Sequence, residues 1–427
     1  MTSLLLVLVI ALILLFIVGV PIAFALGISS TIAVWYGGTM PLESIITRMF
    51  SSLDLFPLMA IPFFILAGSL METGGISRRL INLASAMVGE MKGGLAAVAV
   101  VTSMFFAAIS GSSPATVAAI GSILIPAMVA RGYNRDFAAS VQAVSGGIGV
   151  IIPPSIPLIL YGVVAQVSIG SLFIAGILPG ILMGIFLLVT VYIISKIKGY
   201  SGGVKTNWRE KLLALRDATL ALLMPVIILG GIYGGIFTPT EAAGVAVVYA
   251  FIIGFFVYKE ITLKNLMGIF IRSSITTSII MIIIANAGVF AYILTRQRVP
   301  QMVAQHFTDF TESAIVFLLL VNIFLLLVGM IFETSAAIII LAPILVPIAM
   351  AMGIDPVHFG IIMTVNLAVG MVTPPVGVNL FVAAQIANTS LERIAWAVLP
   401  FLFVLIINIL VITYVPAIST YLPSLQN

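Results

Sequence analysis

Phe105-Phe106-Ala107-Ala108-Ile109-Ser110-Gly111-Ser112-Ser113-Pro114-Ala115-Thr116 lies at the centre of a stretch with no charge between Lys92 and Arg131. Residues 93–131 are too long for one membrane crossing, which needs ~20 apolar residues. The arms on either side of the Ser/Gly cluster, 94–109 and 115–130, would each span only ~24 Å as helices. A hydrocarbon core is ~30 Å thick. The spacing predicts a re-entrant hairpin with its polar tip inside the membrane, shielded by protein or water. The alternative is a polar turn between two spanning helices. Both readings return the chain to the side it left.

The whole chain supports a membrane setting. Of its 427 residues 62% are hydrophobic and 7% charged, where a soluble domain carries about 25% charge. So few charges cannot cover a water-soluble surface, which excludes a cytosolic enzyme, a nucleic-acid-binding protein and a disordered chain. The absence of cysteine excludes disulfides and thiolate metal sites. With only His306 and His358, a haem or multi-histidine centre is not expected. The fold class is an all-α polytopic membrane protein.

Apolar segments are expected at 3–19, 21–37, 55–73, 93–131, 137–166, 171–195, 217–236, 240–258, 273–295, 313–352, 357–387 and 394–417. Amphipathic pieces at 42–51, 76–91, 262–272 and 296–311 suit helices lying along the membrane surface. Counting crossings from an outside N-terminus leaves only Arg48, Arg296 and Arg298 of the 18 basic residues outside. Basic loops stay in the cytoplasm, so both termini are expected outside it.

A shift of 221 residues brings Pro126 onto Pro347, Pro153-Pro154 onto Pro374-Pro375, Pro179 onto Pro400 and Gly149 onto Gly370. Each half holds five crossings, one of them broken, plus one hairpin. An odd number of crossings makes the two repeats inverted, an architecture of secondary transporters. The expected division is a first repeat at 1–198, with scaffold helices 1–37 and 171–198 and a transport part 55–166 containing hairpin 93–131. A basic cytoplasmic linker follows at 199–216. The second repeat is 217–427, with scaffold helices 217–258 and 394–417 and a transport part 273–387 containing hairpin 313–352.

In the second half the tip is Phe332-Glu333-Thr334-Ser335-Ala336, where a carboxylate inside the membrane is functional by default. Read as a loop, it would be an ordinary exposed acid. The following segment is broken in each half, at Gly146-Gly147-Ile148-Gly149 with Pro153-Pro154-Ser155, and at Asn366 to Met371 with Thr373-Pro374-Pro375. Paired prolines remove backbone donors and force unwinding. Candidate Na⁺ ligands are Ser110, Gly111, Ser112, Ser113, Gly146, Gly149, Glu333, Thr334, Asn366, Gly370, Met371 and Thr373. Candidate substrate contacts are Ser112, Ser113, Thr116, Pro153, Ser155, Thr334, Ser335, Pro374 and Asn379. The helix ends after Ser113 and Thr334 would offer N–H groups to a carboxylate. No Lys or Arg is expected near the midplane. No organic cofactor is expected, and Na⁺ would be the coupling ion.

The tip Ser110–Thr116, the run from Gly146 to Ser155, Phe237-Thr238-Pro239-Thr240-Glu241-Ala242-Ala243 and Gly370-Met371-Val372-Thr373-Pro374-Pro375-Val376-Gly377 together resemble the large membrane subunit of tripartite ATP-independent periplasmic (TRAP) transporters. The resemblance covers essentially the whole chain and is strongest to the sialic-acid branch, with C4-dicarboxylate and other sugar-acid branches close behind. It implies an elevator mechanism, Na⁺ coupling, a bacterial inner-membrane location, a small four-helix membrane partner on a separate chain and a periplasmic substrate-binding protein. In the Thr238–Glu241 run, Thr240 is expected to cap a helix. A stand-alone divalent-anion symporter keeps the fold and drops the partners. An intramembrane hydrolase using Ser113 would need a partner base, and His306 lies outside the expected spans while His358 stands only at the edge of 357–387. An ATP-driven pump is disfavoured because no Walker-type loop occurs.

Overall fold

Proline and glycine punctuate the chain into helices short enough to leave gaps inside the bundle. The computed structural model describes residues 3–38, 40–203, 206–310 and 313–425, and no strand occurs among them. Lys205, one of the 15 basic residues counted on the cytoplasmic side, lies outside the described residues, as does the side chain of His306. The first half runs α1 (Ser3–Ile17), α2 (Ile22–Gly37), α3 (Glu43–Leu53), α4 (Ala60–Thr73), α5 (Ile76–Val88), α6 (Gly94–Ser110), α7 (Ser113–Ala130), α8 (Arg135–Gly146), α9 (Ile156–Ala165) and α10 (Ile169–Lys198). The second runs α11 (Trp208–Tyr233), α12 (Pro239–Ile252), α13 (Leu263–Arg296), α14 (Val299–Phe310), α15 (Ala314–Gly329), α16 (Thr334–Ala351), α17 (Pro356–Gly370), α18 (Val378–Ala387), α19 (Leu391–Tyr414) and α20 (Ala417–Ser424). Eight helical segments among the described residues are long and apolar enough to cross a membrane.

The 221-residue shift carries α7 onto α16 residue for residue, and α8 onto the start of α17. Each α8/α9 and α17/α18 pair is interrupted at its paired prolines, which are joined by cis peptide bonds in both halves. The halves interlock through these parts: α7 packs along α18, and α16 packs along α9. The repeats also differ. Asp54, Leu55 and a 3-10 turn containing Pro57 separate α3 from α4. The corresponding positions have no proline, so α13 is one continuous helix of 34 residues. The expected surface helix at 262–272 is therefore its first turns.

The hairpins differ as well. α6 lies along α7, whereas α15 packs chiefly on α17 and barely touches α16. At the α15–α17 crossing two glycines meet, and a Cβ on Gly370 would lie 2.5 Å from the Gly329 Cα.

Helix contacts run both within and across the expected parts. α4 and α13, expected to travel with the hairpins, pack against α2, α3 and α12. α10 and α19, expected in the scaffold, pack instead with α6, α8, α17 and α20. The physical reason is small-residue contact. Gly176 and Gly180 on α10 abut the Ile151 carbonyl and the Ile152 side chain, leaving no room for a Cβ. α5 touches both groups, lying on α6 and on α11, and α14 lies on α16 and α13.

The expected 199–216 linker is shorter than its charge run suggests. Asn207 and Glu210 form a capping box that starts α11 at Trp208. Glu90 holds the linker, accepting from Thr206 N at 2.9 Å and Thr206 Oγ1 at 2.8 Å, with Lys211 Nζ at 3.2 Å. These Thr206 hydrogen bonds, then Lys211, hold the Glu90 carboxyl down to about 2. A depressed carboxylate pKa ties the linker above the ordinary carboxylate range and releases it as pH falls through about 2. Glu90→Gln is expected to speed tryptic cleavage near the linker roughly threefold at neutral pH, since the tie is solvent-exposed. Limited proteolysis checks it.

Candidate functional site

A cavity of about 600 Å³ lies where the two tips face each other across α4 and α13. Ser110, Gly111, Ser112, Pro114 and Ala115 line it from the first tip, and Glu333, Ser335 and Ala336 from the second. α4 contributes Ile65, Gly68, Ser69, Glu72 and Thr73, and α13 contributes Arg272, Thr276, Ile279, Ile280 and Ile283. Both tips thus share one space.

The first tip is built by a left-handed glycine. Gly111 closes α6 with φ 59°, its carbonyl accepts from Ile156 N at 3.3 Å, and a Cβ there would meet the Pro154 carbonyl at 2.9 Å. Ser110 Oγ and Thr116 Oγ1 are 2.8 Å apart, and Thr116 Oγ1 donates to the Ser112 carbonyl at 2.8 Å. Gly149 completes this oxygen cluster from the unwound segment: a Cβ there would lie 2.6 Å from Thr116 Oγ1 and 2.8 Å from the Ser112 oxygen. Gly146 is equally tight against Val117 and the Ser113 carbonyl. Ser112 stands at the start of α7 without capping it, so that positive helix end faces the cavity.

The second tip is different. Glu333 caps α16, accepting from Ser335 N at 2.8 Å, Ala336 N at 3.3 Å and Ser335 Oγ at 3.0 Å. Its own carboxylate therefore occupies the N–H groups that sequence reasoning reserved for a substrate acid. Thr334 points behind the cavity, donating to Met371 Sδ at 3.0 Å. At the 221-residue shift Ala337 stands where the first half has Thr116. The second cluster lacks that hydroxyl.

Other expected site residues take supporting places. Ser113 and Thr116 are buried behind the first tip. Asn379 reaches across from α18, donating to Ser113 Oγ at 2.6 Å and to the Ala143 carbonyl at 3.2 Å. Ser155 is fully buried and caps α9, its hydroxyl donating to the Val150 carbonyl. Thr373 turns its hydroxyl back to the Val369 carbonyl. Pro153 and Pro374 shape the unwound segments without lining the cavity. Asn366 faces Asn322, donating at 2.8 Å in a buried chain through Thr413. His358, buried in the first turn of α17, meets Ser419 Oγ at 2.6 Å and the Thr413 carbonyl at 3.2 Å. Thr238, not Thr240, caps α12, and Thr240 is buried against the Phe56 carbonyl.

Sequence reasoning missed Gln142, Glu72 and Arg272. Gln142 donates to Ser103 Oγ at 3.3 Å and leaves its buried Oε1 unpaired beside the first tip. The Asn379 and Asn366 Oδ1 atoms are likewise buried and unpaired. Arg272 looked like a surface residue because α13 was expected to begin after it.

Asn379→Leu keeps the volume and removes the amide that holds Ser113. A lost buried hydrogen bond costs about 1–3 kcal/mol, so solute uptake is expected to fall about tenfold while the chain still folds, as uptake and gel filtration would report.

A profile described as "Tripartite ATP-independent periplasmic transporter, DctM component" matches residues 9–418. The chain belongs to this family. It is 49% identical over 404 residues to an isethionate TRAP transporter permease protein of Oleidesulfovibrio alaskensis, covering 94% of this chain and 64% of that one. It is 46% identical to a C4-dicarboxylate TRAP transporter large permease protein of Pseudomonas aeruginosa, covering 94% of both. A sialic acid TRAP transporter large permease protein of Vibrio cholerae matches at 39%, covering 95% of both. The family members named here are transporter permeases, and this TRAP permease is not an enzyme. Among solved structures, the YdaH transporter of Alcanivorax borkumensis shares the fold, with a TM-score of 0.64 at 15% identity, covering 89% of this chain and 88% of that one.

Proposed function

We propose that this TRAP large permease carries a small organic acid inward, coupled to Na⁺, through an elevator movement of its two hairpins. The observation that carries the reading is the single cavity walled by both tips. Relatives are named for isethionate, C4-dicarboxylates and sialic acid, so the cargo is read by its acid group, carboxylate or sulfonate, and not by one carbon skeleton. The uncapped start of α7 suits that group. Ser110 Oγ, Thr116 Oγ1 and the Ser112 carbonyl form a neutral oxygen set that suits Na⁺. The second cation is assigned to the other tip, near Thr334 and Met371, with Glu333 supplying negative charge.

The halves are read as inverted repeats with both termini periplasmic, and the cavity as opening toward the cytoplasm. α2, α3, α4, α12 and α13 would stay fixed while the helices of the other group move, with α5 and α14 as connecting arms. A periplasmic binding protein would deliver the cargo, and a small four-helix membrane subunit would complete the scaffold. At ~100 mV each net positive charge moved inward gains about 2.3 kcal/mol, so two Na⁺ per monoanion make import electrogenic.

The test is uptake of labelled isethionate, succinate and sialic acid into proteoliposomes with the small subunit and candidate binding proteins. Uptake that requires an inward Na⁺ gradient and a binding protein supports the proposal. Uptake indifferent to Na⁺ overturns the coupling, and uptake indifferent to every binding protein favours the stand-alone symporter.

A further inference from the structure

The wall opposite the tips carries two charges, Glu72 on α4 and Arg272 on α13, that the reading above leaves without a role. Arg272, Thr276, Ile279, Ile280 and Ile283 follow helical spacing and turn one face of α13 into the cavity. Ile65, Gly68, Ser69, Glu72 and Thr73 do the same on α4. Each wall is apolar at one end and polar at the other. The polar ends meet near Gly74, where a Cβ would touch Gly254 and Ile261, next to the basic loops. The cavity therefore has a charged end.

Arg272 is 7.5 residues from the middle of Leu263–Arg296, or about 11 Å along the helix at 1.5 Å per residue. That lies within half of a ~30 Å hydrocarbon core, where an unpaired charge is costly and calls for a counter-ion. Among the described residues no carboxylate comes within 4 Å of Arg272. Arg272 and Glu72 line the same cavity without direct contact. A guanidinium held open beside a carboxylate it does not grip is arranged for exchange.

We propose that Arg272 receives the acid group of the cargo at the charged end of the cavity, and that Glu72 is the resident anion which the cargo displaces. This deepens the transport reading and rests on the cavity being the cargo path. A planar guanidinium fits the paired oxygens of a carboxylate or sulfonate. Glu72 keeps the pair neutral when no cargo is present and competes the acid away from Arg272, so that cargo is released. Thr276, one turn deeper, and Ser69 and Thr73 opposite supply neutral hydrogen-bonding groups.

The chain has no cysteine, which permits a direct test with a sulfonate probe. Thr276→Cys in the purified full-length chain is labelled with anionic 2-sulfonatoethyl and cationic 2-aminoethyl methanethiosulfonate, and the ratio of the two rates is recorded. Adding Arg272→Gln is expected to lower the anion-to-cation ratio about tenfold, and adding Glu72→Gln to raise it several-fold, as for unit charges a few ångströms away in a partly hydrated site. Arg272→Lys should hold the ratio within about threefold of the parent, because the charge is kept. A ratio that moves less than twofold in both Arg272→Gln and Glu72→Gln overturns the proposal. Continued reaction with the cationic reagent shows that the cavity is formed, and if Arg272→Gln does not fold, Glu72→Gln decides alone. Labelling needs no gradient, binding protein or transport, so its failure is distinct from failure of the transport reading.

Discussion

Gly149→Ala is expected to remove at least about 99% of Na⁺-driven uptake while leaving a folded, membrane-inserted protein. The added Cβ would lie 2.6 Å from Thr116 Oγ1 and 2.8 Å from the Ser112 carbonyl, distances that real Cβ atoms do not tolerate. The 3-10 turn Gly147–Val150 that holds Gly149 is fully buried between α6, α7 and α17 and has nowhere to retreat. The first tip must give way. Overpacking of this kind costs about 1–3 kcal/mol, and the displaced atoms are the ones assigned to Na⁺. A hard cation needs its oxygens placed to within tenths of an ångström, so the loss falls on ion binding before stability. Uptake against Na⁺ concentration, beside gel filtration of the purified variant, reads the effect. A variant with the parent's Na⁺ dependence would show that Thr116 and Ser112 do not bind the ion.

Glu333→Gln is expected to cut uptake about tenfold and to make its Na⁺ dependence hyperbolic, where two-cation coupling predicts a sigmoidal one for the parent. The amide oxygen can still accept from Ser335 N, so α16 keeps part of its cap, and what is lost is mainly charge. Glu333→Ala removes cap and charge together and should lower stability by a further ~1 kcal/mol. Thermal unfolding separates the two variants. Equal Na⁺ cooperativity in Glu333→Gln and the parent would remove the second cation from the account.

Much of this architecture was readable because membrane length is a hard constraint. The charge-free run from Gly93 to Ala130 and the mid-run cluster Ser110–Thr116 indicated a hairpin, and Pro153-Pro154 with Pro374-Pro375 located both breaks. α6, α7 and the unwound segments lie where those residues placed them. What stayed hidden depends on which helix faces meet. Arg272 sits in a run with charge on one face, as a surface helix would, and only the continuity of α13 brings it beside Glu72. Ser155, Thr373 and Asn366 are polar residues near breaks, but their hydrogen bonds go to Val150, Val369 and Asn322. Residue type does not reveal that a hydroxyl is already occupied. The contacts of α10 and α19 with α6, α8 and α17 were equally hidden, since Gly176 and Gly180 report close packing but not the partner.

The central claim is that the two tips wall one water-filled space which cations and an acid occupy together. Ser112→Cys and Ser335→Cys, each made singly in this cysteine-free chain and reconstituted with a candidate small subunit, put it to the test with a membrane-impermeant maleimide. The account predicts that both sites react from the same side of the membrane, and that Na⁺ together with the transported acid slows both reactions in parallel. Reaction of the two sites from opposite sides, or at rates indifferent to Na⁺ and acid, would contradict it.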